Sequence, residues 1–131
     1  MISTTATAKL CASLCGALAV SALLLTSAAS LRAQDPDHVK QLLSTRECKN
    51  CDLRNAQIVR ENLNRSDVSG ADFTGAFLYG TSFRNANLKN ARFTNADLTG
   101  ADLTGARDAN LAGAKTNEHT KCADGRRGPC N

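Results

Sequence analysis

The sequence predicts an all-β solenoid, a chain wound square around a common axis. Three observations carry that prediction. Residues 51–105 divide into eleven five-residue units: CDLRN, AQIVR, ENLNR, SDVSG, ADFTG, AFLYG, TSFRN, ANLKN, ARFTN, ADLTG and ADLTG. The third residue of every unit is large and apolar: Leu53, Ile58, Leu63, Val68, Phe73, Leu78, Phe83, Leu88, Phe93, Leu98 and Leu103. The first residue is Ala, Ser, Thr or Cys in all of them except the unit that opens on Glu61.

A five-residue period suits neither a helix, whose apolar face recurs every three or four residues, nor a plain strand, which alternates every two. It suits a chain that turns a corner every five residues, pointing one large and one small side chain inward from each side. Four sides make a coil of 20 residues, and coils stack at the inter-strand spacing of ~4.8 Å. One coil cannot bury its apolar face alone, so stacking is obligatory. Residues twenty apart then form inner columns: Leu53, Phe73 and Phe93; Ile58, Leu78 and Leu98; Leu63, Phe83 and Leu103; Val68 and Leu88.

The units at 71–75, 96–100 and 101–105 read ADFTG, ADLTG and ADLTG. Here the chain resembles the pentapeptide-repeat family, whose consensus is A(D/N)LxG. The resemblance covers 51–105 and extends loosely to 114. It implies a right-handed quadrilateral β-helix with the third residue of each repeat in the core; periodicity alone gives no hand. It implies no shared activity, because function sits in sites carried by a fold rather than in the fold.

Residues 1–33 read as a secretory signal peptide. Lys9 precedes an uncharged run to Leu31 that is apolar over 10–25, and small residues follow at 26–30. A retained membrane anchor is the competing reading, since the uncharged span is only slightly shorter than a full crossing. Neither Cys11 nor Cys15 follows the small residue that a lipoprotein cleavage site needs. Loss of Lys9 and Arg32 takes the 16 basic residues to 14 against 12 acidic. A net charge of +2 does not point to nucleic acid or a membrane surface as a partner.

Residues 34–50 read as an N-terminal helical cap. Asp35 suits the N-cap, Pro36 suits the first helical position, and Val39, Leu42 and Leu43 fall on one face. A solenoid exposes its core at each open end, so this helix is expected to lie over the first coil. The repeat region, 51–114, breaks at Asp108, which would be the next core position and cannot close a coil without a partner. Residues 109–113 (ANLAG) resume the motif out of register, as a bulge and a last partial turn. Residues 115–131 form a polar tail with turns at Gly125, Gly128 and Pro129.

Four cysteines follow the leader: Cys48, Cys51, Cys122 and Cys130. Behind a secretory leader an even count reads as disulfides. The first two precede a stack of nearly three coils and the others follow it, farther apart than the ~7 Å limit between bridged Cα atoms. The expected pairs are therefore Cys48–Cys51 and Cys122–Cys130. Two other chemistries compete. Cys48-Lys-Asn-Cys51 has the spacing of thioredoxin-like redox sites but no βαβ context, and four thiolates can hold zinc, though this spacing does not match paired knuckles. No catalytic residue, cofactor or metal is expected. His38 and His119 are expected in solvent, and the second-column residues Asp52, Asp67, Asp72, Asn87, Asp97 and Asp102 are expected to face outward.

Two departures from the pattern bear on function. Glu61 takes an inward small-residue slot under Thr81, and is expected to reach solvent or Arg65 rather than act as a functional carboxylate. Phe77 and Tyr79 flank the core residue Leu78 and should point outward, with Val59 one coil below Tyr79. Such an apolar patch is either a protein-contact surface or the seat of the C-terminal segment.

The sequence thus reads as a non-enzymatic, exported repeat domain acting as a scaffold or protein-interaction module. It is expected to be an exported monomer with an unknown protein partner and no nucleic acid; the resemblance to short, leader-bearing pentapeptide-repeat proteins implies the periplasm or thylakoid lumen, with the extracellular space the other exported location. One alternative is a DNA-mimicking, gyrase-interacting pentapeptide protein. That role depends on a strongly acidic surface, whereas here Arg54, Arg60, Arg65, Arg84, Lys89 and Arg92 balance Asp52, Glu61, Asp67, Asp72, Asp97 and Asp102. The other is a thiol oxidoreductase using Cys48 and Cys51.

Overall fold

The computed structural model describes residues 35–130, so the leader expected at 1–33 lies outside the described residues. The chain enters through helix α1, Pro36–Thr45. Asp35 caps it, accepting the Asp37 N–H through Oδ1 at 3.0 Å, and Pro36 opens the first turn. The helix ends where Arg46 turns left-handed (φ 59°) and donates its N–H to the Leu42 carbonyl. Leu42 is fully buried in the core cluster and Val39 packs against it.

From Glu47 onward the chain coils. Parallel bridges join residues twenty apart, from Glu47 with Asp67 to Asn87 with Arg107. Each is a single residue pair, because the corners leave no room for a continuous strand; among the described residues the sheet consists only of such bridges. All eleven third-column residues are at most 1 % exposed. Phe73 and Phe93 stack with centroids 5.0 Å apart, and Phe83 enters edge-on from the opposite side at 6.0 and 6.3 Å.

The backbone hydrogen bonds explain the other columns. In a typical unit the first N–H closes the corner onto the preceding core residue, as Ala76 does to the Phe73 carbonyl. The second donates to the coil before it, as Asp72 does to Cys51, and the third and fifth donate to the coil after it, as Leu53 does to Asp72 and Asn55 to Thr74. The fourth N–H goes to the side chain two residues back: Thr74 to Asp72, Ser69 to Asp67, Thr99 to Asp97 and Thr104 to Asp102, at 2.9–3.2 Å. Second-column Asp and Asn are thus corner acceptors, the Asx-turn use of a short acid or amide. The fifth residue takes positive φ at every corner from Asn50 to Gly105, the requirement of a type II turn. Asn and Gly fill that column except at Arg60 and Arg65.

Beyond Arg107 the register shortens. Asp108 turns out into solvent with φ 53°, so the acid never enters the core. The next bridges join Asp97 with Lys115 and Asp102 with Lys121, eighteen and nineteen residues on. Residues 115–121 therefore continue the ladder as a further partial coil. Thr120 fills a small inward slot and donates its hydroxyl to the Leu98 carbonyl at 3.0 Å. The chain then folds back, with an antiparallel bridge between Lys121 and Arg127.

Candidate functional site

The four described cysteines form two bonds. Cys48 joins Cys51 and Cys122 joins Cys130, each with Cα atoms 5.4 Å apart. Cys48 and Cys51 belong to the core cluster, with Cys51 in the inward slot of the first unit. A redox-active thiol must be reachable as a thiolate, and this pair is shielded. With all four sulfurs bonded to one another, none remains as a zinc ligand. Among the described residues no group of three or more His, Cys, Asp or Glu is placed to hold a metal ion.

His38 differs from the expectation of a solvated side chain. Its Nδ1 accepts the Asp52 N–H at 3.2 Å. In later coils that N–H would meet a carbonyl of the coil before; the first coil has none before it, and the helix supplies the acceptor. His119 lies in solvent.

Glu61 is exposed, and among the described residues it makes no ion pair. The Ile58 carbonyl at that corner takes the hydroxyl of buried Thr81, one coil on.

Four second-column carboxylates, Asp52, Asp67, Asp97 and Asp102, have their pKa values lowered. The Arg54 guanidinium beside Asp52 keeps its carboxyl below the usual range, with burial opposing. Ser69 does the same for Asp67 and Thr99 for Asp97, each through side-chain and backbone donors. For Asp102 burial pushes upward most strongly, but Thr104 and Lys121 together carry the net shift downward. Every one of these groups is tied to its own corner, which leaves none poised as a general acid or base.

The departures on the second side of the square form one surface. Val59, Phe77 and Tyr79 are 45 %, 50 % and 44 % exposed. Gln57 and Phe77 stand where seven of the eleven units carry Asp or Asn, so the fourth N–H groups, those of Val59 and Tyr79, lack the corner acceptor. The Arg60 guanidinium lies 5.6 Å from the Tyr79 ring centroid, within cation–π range. The C-terminal segment leaves this surface open.

Sequence reasoning missed a cleft at the far end. It holds about 580 Å³ between residues 109–114 and the Cys122–Cys130 loop, lined by Leu111, Ala114, Pro129 and the disulfide, with Asp124 and Arg126 among its polar lining. The signal was the out-of-register ANLAG, which showed that the last turn would not seat squarely.

The family model for pentapeptide repeats matches eight copies over residues 47–90 and 67–105. The chain belongs to the pentapeptide-repeat family. No curated protein matches it. Among solved structures it is similar to alr5209, a pentapeptide repeat protein from Nostoc Pcc 7120, at 28 % identity and TM-score 0.50, over 72 % of this chain and 84 % of that one. It is also similar to a pentapeptide repeat protein from the Arabidopsis thaliana thylakoid lumen, at 30 % identity and TM-score 0.42, over 57 % of this chain and 50 % of that one. A third, Rfr23 from the cyanobacterium Cyanothece 51142, is 23 % identical with TM-score 0.34, over 64 % of this chain and 96 % of that one. The family match and the Nostoc likeness carry the right-handed β-helix for this pentapeptide-repeat protein.

Proposed function

We propose that this pentapeptide-repeat protein is a non-catalytic, exported rod that works as a scaffold or protein-interaction module, contacting its partner through Val59, Phe77 and Tyr79. The observation that carries the reading is the open apolar surface on the side of the square where two successive coils give up the corner Asp or Asn. Asp and Asn at the outward second position serve the turns; here the outward positions carry aromatic and aliphatic side chains in water. Aromatic residues with an adjacent Arg are the composition of interface anchors. Two disulfides suit an oxidising compartment such as the periplasm, the thylakoid lumen or the extracellular space. In this reading helix α1 and the C-terminal loop close the two ends, which favours a monomer.

The test is Phe77→Ser combined with Tyr79→Ser. Because both side chains are about half exposed, unfolding free energies from urea titration should stay within about 0.5 kcal/mol per site of the parent. Cross-linking in the native compartment should capture a protein with the parent chain and lose it with the double variant. Equal capture by both refutes the contact surface. Dimerisation of the parent, measured by sedimentation velocity and abolished in the variant, would make the partner a second copy.

A further inference from the structure

A second surface stands apart from the apolar one. Arg46, Arg65 and Arg84 line a concavity of about 370 Å³ together with Asn62, Asn64 and Asn85. The three arginines are nineteen residues apart, one short of a coil, so they climb the stack in a slanting row. None of them joins a carboxylate among the described residues, whereas Lys49, Arg54, Arg92, Lys121 and Arg126 each do. Glu47, Glu61 and Asp67, the acids nearest in sequence, do not line the concavity.

The amides make the site one-sided. Asn64 Oδ1 accepts from the Ser82 hydroxyl at 2.6 Å and from the Arg84 N–H at 3.0 Å. Asn62 Oδ1 accepts the Asn64 N–H at 3.1 Å. With both amide oxygens engaged on the protein, the NH₂ groups are the ends left for a ligand. Three exposed arginines and two amide donors therefore line a concavity with no carboxylate on its lining. Hydrogen bonds to an ionised partner are the strong ones, and guanidinium matches the oxygens of phosphate in fork geometry. A single carboxylate would leave most of these donors unused; a phosphate carries ≈ −1.5 to −2 charge and three strong acceptor oxygens.

We propose that this corner is an oxyanion site that takes a phosphate group. The site is independent of the protein-contact surface, and either can fail alone.

Inorganic phosphate is the first probe. In low-salt solution its titration should shift the Arg46, Arg65 and Arg84 Nε–H resonances along one saturating curve, with acetate causing little change. Arg65→Gln with Arg84→Gln should weaken binding by at least about tenfold, the loss expected from removing charge-assisted hydrogen bonds. Lys89→Gln with Arg107→Gln, which removes two cations elsewhere, should leave binding unchanged. Thermal melts establish that both variants fold. Shifts spread equally over Lys89 and Arg107, or a titration that never curves, would overturn the site, as would undiminished binding by the Arg65/Arg84 variant. Sedimentation with phosphatidate vesicles then identifies the source. Binding that inorganic phosphate displaces assigns a lipid headgroup, and absence of binding assigns a soluble phosphate; either result keeps the phosphate chemistry.

Discussion

The two ends of the stack face the same problem and meet it differently. At the N-terminal end a separate element lies over the axis: α1 buries Leu42, the Cys48–Cys51 bridge sits in the core, and His38 supplies an acceptor for the first coil's Asp52 N–H. At the C-terminal end the coil itself tapers. Asp108 swings out, the register loses two residues and regains one, and a disulfide loop folds across what remains. Leu111 stays half-buried there, and a cleft of about 580 Å³ persists. A lid can place one large side chain where the axis needs it. A tapering coil is bound by the period that built the stack, so it closes only as well as its last register allows.

Leu42→Ala should separate the ends most sharply. Truncating a fully buried leucine costs ~2–5 kcal/mol, whereas Leu111→Ala at the other end should cost under about 1 kcal/mol. Urea midpoints measured side by side decide this, and equal losses would make the two closures equivalent. Graded reduction should act on the ends in order. Cys130 is partly exposed while Cys48 and Cys51 are buried, so alkylation and peptide mass mapping should find the Cys122–Cys130 pair opened first. Opening that pair alone should cost on the order of 2 kcal/mol, from the short loop it closes. Labelling of Cys48 first would reverse the ranking of the ends.

The smallest expected effect is that of acid. Asp52 at one end and Asp97 near the other both have folded pKa values below their unfolded ones. Their contribution to stability is full above the unfolded value and is lost as pH falls through the folded value, so melting temperature should drop between about pH 5 and pH 2. Asp97→Asn keeps an acceptor for the Thr99 N–H but cannot titrate. It should melt slightly below the parent at neutral pH, where it lacks the ionised group's contribution, and converge with it in acid; an unchanged acid profile would remove Asp97 from the linkage.

Much of this was legible in the residues themselves. Burial tolerates only apolar side chains of suitable size, which made the third and first columns readable from Leu53 to Leu103. The second column was read as outward-facing, but its acceptor role was missed, although Asp and Asn two residues before a corner N–H are a local signal. Phe83 driving edge-on between Phe73 and Phe93 was not legible, because it depends on the distance across the square. The course of the chain after Asp108 depends on how many residues loop out before pairing resumes, which ANLAG alone does not specify. The arginine row was hidden for a related reason: Arg46, Arg65 and Arg84 occupy three different columns, and they line one concavity only once the chain is coiled.

Because each side of the square takes five residues, the compass bearing of every outer surface is set by counting. Inserting twenty residues between two coils would lengthen the rod and leave downstream surfaces pointing as before. Inserting five would swing everything beyond the insertion by a quarter turn. A splice of one unit between Gly70 and Ala71 would thus re-aim Phe77 and Tyr79 relative to Arg46 and Arg65 without altering a single side chain in either group. Azimuth in this molecule is arithmetic, and it can be edited independently of chemistry.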